Sequence, residues 1–295
     1  MASDLLPPRL LAQLERLQVS SRRPLVGGLV GDHRSPRFGT SIDFSDYREY
    51  HAGDDLRRID VNAYARFDRL LLKLFEAEDD VVVRLLVDTS GSMEGAKLQR
   101  ARQYAAAIGF VALVNRDIVT VHTFPGGAEG PRLLGKAAIP ELFTRLESLQ
   151  AEGSTPFAAA ASAMLTRPGP PGITVVVSDL LTEEWDAGLR RLPSGSGPKP
   201  GDLAVVQVLD RTDVSPAVTG DLQLVDTETG ATVDVSVSAS VAEDYTRLAQ
   251  AWLDEVAGRV LRRRAGYARV FTDEDLEASI LGTLTGSGTR AGVLR

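Results

Sequence analysis

The stretch VVVRLLVDTSGS, residues 81–92, decides how this chain is to be read. Its first seven residues are a short β-branched and aliphatic run, the kind a parallel strand buried on both faces requires. Its last five are small and polar, and they lie just before a helical pattern at about 97–115. The alternation then continues through a strand at 118–124, helices at about 138–149 and 156–166, a strand at 173–178, a helix near 183–191 and a strand at 203–209. Short strands alternating with helices predict an α/β fold with a doubly wound, mostly parallel sheet covered on both faces.

Outside this core the pattern changes. Residues 5–18 have a helical apolar period, with Pro7 and Pro8 at the start, where a helix tolerates them. Residues 20–46 are rich in Gly, Ser, Pro and Arg and read as loop, and 69–76 reads as a strand. Residues 222–226 and 231–237 flank the turn Glu228-Thr229-Gly230 and predict a β-hairpin. A long amphipathic helix at 240–264 and a strand at 267–271 follow. Thr272 is then placed to cap a last helix, with Asp275 three residues later in a capping-box-like position. The expected organisation is an N-terminal segment, 1–80, packed on a main domain, 81–295, with a hairpin insertion near 220–238.

Composition narrows the chemistry. The 295 residues are 43% hydrophobic and 25% charged, which suits a globular protein and excludes global disorder. The absence of cysteine removes thiol catalysis, iron–sulfur clusters and thiolate zinc sites. The three histidines, His33, His51 and His122, are too far apart for a local metal motif. A net charge of −7 argues against generic nucleic-acid binding, which needs a basic face. The uncharged stretches 103–115 and 153–166 are shorter than the roughly 20 apolar residues of a spanning helix. With no secretory leader pattern at the start, the expected location is cytoplasmic.

The turn Asp88-Thr89-Ser90-Gly91-Ser92 follows its strand at the sheet edge where α/β folds bind ligands. One carboxylate and two hydroxyls on one tight turn are hard oxygen ligands, suited to Mg²⁺, Mn²⁺ or Ca²⁺ rather than zinc or copper. Gly153-Ser154-Thr155-Pro156 opens a later helix, and Asp179 ends strand 173–178 as Asp88 ends its own. If the two strands are neighbours, both carboxylates meet at one crevice. The plainer alternative for each residue is a helix cap, which Ser, Thr and Asp all favour.

Taken together, this DxSxS…T…D set resembles the metal-ion-dependent adhesion site of the von Willebrand factor A domain family. The resemblance implies that Ser90, Ser92 and Thr155 contact the ion, with Asp88 and Asp179 acting directly or through water. It also implies an open coordination position that takes an acidic side chain from a partner protein. A Rossmann-like von Willebrand factor A domain is the corresponding expectation for the fold.

Upstream, Tyr47-Arg48-Glu49-Tyr50-His51-Ala52-Gly53-Asp54-Asp55-Leu56-Arg57-Arg58-Ile59-Asp60, then Ala65-Arg66, resembles the signature of the bacterial domain of unknown function 58 family. Gly31-Asp32-His33-Arg34-Ser35, Phe44 and Met93 after the turn also fit. The likeness spans about residues 10–290, and Val61 stands where that family usually has Trp. The charges of Arg48, Asp54, Asp55, Arg57, Arg58, Asp60 and Arg66 alternate in sign. They predict either a partner-facing surface or a structural ion-pair cluster, and neither choice makes them catalytic.

The resemblance implies a non-enzymatic, divalent-metal-dependent interaction module. Its implied role is that of an adaptor beside a MoxR-type AAA+ ATPase in assembling or remodelling other proteins. The partner would be that ATPase or its client, offering an acidic side chain, with no nucleic acid and no membrane span. One alternative is a Mg²⁺-dependent phosphohydrolase with Asp88 as nucleophile. That chemistry wants a second acid two residues on, where Ser90 stands. Another is a scaffold with a vestigial metal site. Residues 130–137 imitate a phosphate loop but end in Ala137 instead of a hydroxyl residue, so chance explains them better. Ser196-Gly197-Pro198-Lys199 lies in a loop that cannot hold a nucleophile pair, and Arg262-Arg263-Arg264 reads as a solvated helix end.

Overall fold

Leu5, Leu6, Leu10 and Leu14 are all buried, and the last two lie one turn apart on helix α1 (Pro8–Leu14). The structure, a computed structural model, describes residues 5–17, 44–51, 54, 59–75, 82–125, 130–154, 157–165, 172–192, 202–216, 218–227 and 230–285. The chain divides into two compact units, Met1–Pro24 with Val81–Arg295, and Leu25–Asp80. The first helix therefore belongs with the sheet and not with a continuous 1–80 segment. The reason is its leucine stripe, which joins the main apolar core.

In the smaller unit, β1 (Phe44–Glu49) pairs antiparallel with β2 (Leu71–Phe75), and α2 (Val61–Phe67) lies between them in sequence. Asp60 begins that helix: its Oδ1 accepts the Asn62 and Ala63 backbone N–H groups at 2.9 and 3.2 Å. Strand β2 falls within the expected 69–76. Strand β1 and helix α2 were not foreseen, because the charge pattern of this stretch hides any apolar period.

In the larger unit the chain runs β3 (Val82–Asp88), α3 (Ala96–Val114), β4 (Ile118–Phe124) and the two-residue β5 (Leu133–Leu134). Next come α4 (Ile139–Glu147), α5 (Phe157–Leu165), β6 (Gly172–Ser178), α6 (Trp185–Arg191) and β7 (Asp202–Leu209). The one-turn α7 (Arg211–Val214), β8 (Gly220–Val225), β9 (Thr232–Val237), α8 (Ala239–Arg262), β10 (Gly266–Phe271) and α9 (Leu276–Thr285) complete it. Six strands form one sheet in the order β10-β7-β6-β3-β4-β5, parallel except for β5. The molecule is thus mixed α/β with a mostly parallel central sheet.

Alternate residues of the strands feed two cores. Val83, Leu85 and Val87 pack with α1, α3, α4 and α9, while Leu86, Val176 and Val205 pack with α5, α6 and α8. Helices cover both faces because each strand is apolar on both. The chain leaves β3 toward β4 on one side and returns to β6 on the other, so strand order reverses between β3 and β6. That is where a ligand crevice forms.

The hairpin of β8 and β9 is a separate two-stranded sheet, as its turn signal predicted. The imitation phosphate loop forms no cradle: Leu133 and Leu134 are edge strand, and Lys136 pairs with Glu15 at the surface, 2.5 Å away. Residues 196–199 lie outside the described residues. Arg263 is more than a solvated helix end, since its Nη2 donates to the Leu192 carbonyl at 2.8 Å. No helix among the described residues is long and apolar enough to cross a membrane.

Gly172 sets the spacing of β3 and β6. A Cβ there would stand 2.1 Å from the Val82 carbonyl oxygen, which is backbone and cannot rotate away. Gly172→Ala should therefore destabilise the sheet by about 1–3 kcal/mol, as overpacking does, measured as a lower urea midpoint. An unchanged midpoint would show that the strands can part there without cost.

Candidate metal centre at the sheet edge

The β-branched run of β3 stops at Asp88, and the polar residues after it leave the sheet in a 3₁₀ turn, Gly91–Met93. Gly95, at φ +75°, redirects the chain into α3, a conformation open to glycine at little cost. Neighbouring loops clamp this turn. Thr89 N–H donates to the Phe124 carbonyl at 2.7 Å, Glu152 N–H to the Thr89 carbonyl at 2.9 Å, and Gly91 N–H to the Gly153 carbonyl at 3.0 Å. Beside it lies an open groove of about 700 Å³ lined by Thr89, Thr123, Pro125, Leu149, Glu152 and Ser154.

Asp88 is 4% exposed. Its Oδ1 accepts the Ser90 backbone N–H at 2.9 Å and the Ser90 hydroxyl at 2.7 Å, and its Oδ2 accepts the Ser178 hydroxyl at 2.5 Å. Ser90 Oγ lies 3.1 Å from Ser92 Oγ, so the three side chains of the DxSxS turn form one connected group. Burial, and then the negative charge of Asp179, push the Asp88 carboxyl up to about 7, although the Ser178 and Ser90 hydrogen bonds pull the other way. Among the described residues no lysine, arginine or histidine is ion-paired with it.

Asp179 follows β6, the direct neighbour of β3, with Val87 opposite Val177. The strand adjacency that the crevice needs is present. Its carboxylate, however, is spoken for. Oδ1 accepts the Leu181 N–H at 3.0 Å, and Lys97 Nζ lies 2.9 Å from Oδ2. Lys97 also reaches Asp213 Oδ2 of α7 at 3.3 Å. Burial lowers the proton affinity of Lys97, but Asp179 and Asp213 outweigh it and the net shift is upward. Leu180 turns the chain here at φ +59°, an uncommon backbone for a residue with a Cβ. The Asp179 carbonyl accepts Gln207 Nε2 at 3.0 Å, and the Tyr267 hydroxyl donates to Gln207 Oε1 at 2.6 Å.

Of the expected ligands, Asp88, Ser90 and Ser92 are thus joined, Asp179 is adjacent but ion-paired, and Thr155 lies outside the described residues. Among the described residues no group of three or more His, Asp or Glu side chains stands ready for a metal ion. A cation here would depend on Asp88 and hydroxyls, a hard-oxygen set that fits Mg²⁺, Mn²⁺ or Ca²⁺. Lys97, Ser178, Gln207 and Asp213 were missed from sequence. Lys97 did leave a signal: a lysine in the first turn of a helix opposes the helix dipole and needs a nearby acid.

The upstream charges resolve differently. Arg48 pairs with Asp54 at 2.7 Å, and Asp54 Oδ2 accepts the His51 N–H at 2.8 Å. Asp60 is buried, capping α2 and accepting the Tyr47 hydroxyl at 2.7 Å, so it serves the fold. Arg66 is exposed on α2, as is Val61 at 73%. Asp55, Arg57 and Arg58 lie outside the described residues.

A proton on Asp88 links stability to pH. Its folded value lies above the ordinary 3.8, so the contribution is full below that value and is lost as pH rises through about 7. Metal-free protein should lose stability between about pH 4 and pH 7 in urea titrations, and Asp88→Asn should flatten that slope. Parallel slopes for the two proteins would show that Asp88 is ionised throughout.

A family model described as protein of unknown function DUF58 matches residues 46–253. Uncharacterized protein Rv1480 of Mycobacterium tuberculosis is 26% identical over 293 residues, 95% of this chain and 90% of the relative. Uncharacterized protein MAV169 of Mycobacterium avium is 30% identical over 111 residues, 37% of this chain and 63% of the relative. Among solved structures, an aerotolerance-related membrane protein from Bacteroides fragilis with multiple mutations to serines has TM-score 0.41 and 16% identity, covering 68% of this chain and 96% of its own.

Proposed function

We propose that this chain, which belongs to the DUF58 family over residues 46–253, is a divalent-metal-dependent protein-interaction module and not an enzyme. In this reading the sheet unit is a Rossmann-like von Willebrand factor A domain, and the turn after β3 is its metal-ion-dependent adhesion site. The observation that carries it is Asp88, a buried carboxylate with no ion pair among the described residues and two linked serine hydroxyls beside it. A buried charge without a partner is costly, and a bound cation relieves that cost. Asp88, Ser90 and Ser92 would hold Mg²⁺, Mn²⁺ or Ca²⁺, with Thr155 as a further oxygen of the family pattern. When bound, the ion supplies a position for a hard anionic ligand, and the open groove lined by Thr89 and Ser154 leaves room for a partner beside it. From the family resemblance, that partner is a MoxR-type AAA+ ATPase or its client, presenting an Asp or Glu.

A hydrolase is the weaker reading, because Ser90 stands where the second acid is needed. The Lys97–Asp179 ion pair favours a different second reading, a scaffold whose internal lysine has replaced the metal.

Thermal denaturation separates the two. Wild-type protein should gain stability in millimolar Mg²⁺ or Mn²⁺, about 2.7 kcal/mol at a hundred times the dissociation constant. Asp88→Ala and Ser90→Ala should show little of that gain, whereas equal shifts in all three proteins would remove the site. Binding of a purified MoxR-type ATPase should then weaken with chelator and with Ser92→Ala while circular dichroism is unchanged. A complex indifferent to both would move the contact elsewhere on the molecule.

A further inference from the structure

Lys97 is a buried cation that the proposed adhesion site does not use. It stands in the first turn of α3, where the positive end of the helix dipole opposes it. Its side chain is only 7% exposed, yet Nζ lies within 2.9 Å of Asp179 Oδ2 and 3.3 Å of Asp213 Oδ2. With Leu181 N–H on the other oxygen, the Asp179 carboxylate has an amide on one side and an ammonium on the other. Asp88, in contrast, accepts only from hydroxyls and an amide among the described residues. The two strand-end carboxylates are therefore not equivalent, and the register of Val87 with Val177 sets Asp179 one residue further along than Asp88.

We propose that Lys97 is the resident counter-ion of Asp179, so that an exchangeable divalent ion is held by Asp88 and the serines, with Asp179 outside its inner coordination. Lys97 is then the residue that sets metal affinity. This rests on the adhesion-site reading above. The charge count supplies the reason for a lysine here. Asp88, Asp179 and Asp213 against one ammonium leave two negative charges, which one divalent ion neutralises. A neutral loaded site accepts a partner's carboxylate with a single negative charge in excess. Without Lys97 the loaded site would already be negative and would repel that carboxylate, although it would grip the metal harder. Lys97 thus trades strength of metal binding for tolerance of an anionic partner. A compact ammonium suits a position between two carboxylates, where a planar guanidinium would impose its own fork geometry.

The test is calorimetric titration of Mg²⁺ and of Mn²⁺ into wild type, Lys97→Met and Lys97→Arg, with melting temperature in chelator as a second readout. Lys97→Met should bind the ion about tenfold or more tightly, because a positive charge is removed and Asp179 is released. Its melting temperature in chelator should fall, since the Asp179 and Asp213 carboxylates lose their counter-ion. Lys97→Arg, which keeps the charge, should stay within about threefold of wild type. If Lys97→Met does not fold, Lys97→Gln carries the same test, for its amide can still donate to Asp179 without the charge. Unchanged or weaker binding in the charge-deleted variant, beside a wild type that binds, would overturn the role of Lys97 and leave the metal site standing. Binding by the variant but not by wild type would overturn the adhesion reading and support Lys97 as counter-ion. Binding by neither would overturn both.

Discussion

Asp88 and Asp179 lie at the carboxyl ends of adjacent parallel strands, 4% and 2% exposed, and like charges so placed repel. The local structure is organised around that repulsion. Ser90 and Ser178 hydrogen-bond Asp88, while Lys97 is drawn into the interior against its helix dipole to pair with Asp179. Two solutions to one electrostatic problem sit side by side, hydroxyls and a raised proton affinity for one carboxylate, an ammonium for the other. The difference between them is what makes Asp88 the place where a cation would do most.

That juxtaposition is held by apolar packing remote from the charges. The registers of β3 with β4 and β6 run unbroken along the strands, and both faces are filled by valine, leucine and isoleucine under helices. A sheet buried on both sides cannot slip register without exposing apolar side chains, so the strand ends stay level. Leu180, at φ +59° yet 1% exposed, shows the same hierarchy. The cost of its backbone is tolerated because its side chain belongs to the second core.

The segments differ in how much of this could be read without coordinates. Strand β4 lies where the alternation of strands and helices placed it, and the hairpin of β8 and β9 follows from its Gly230 turn. The signature region 47–66 was legible as a motif but not as structure. Its charges obscure the short strand β1 and the helix α2, and Asp60 is a buried cap that looks in sequence like one more surface acid. The leucines of α1 were read correctly as one helix face, but assigning that face to the sheet unit needed the packing itself.

The sequence by itself determined the alternation of strands and helices, the polar turn at the end of β3, and the hard-oxygen character of any ligand set there. These depend on side-chain period and turn stereochemistry, which act over a few neighbouring residues. Only the tertiary structure decided which oxygens are free. Lys97 and Asp179 are 82 positions apart, and Ser178 and Asp88 are 90 apart. Such partners meet because β6 returns beside β3, and that return is dictated by the summed burial of two cores. No local pattern around either residue carries that information, since the energy that brings them together is spread over the whole sheet.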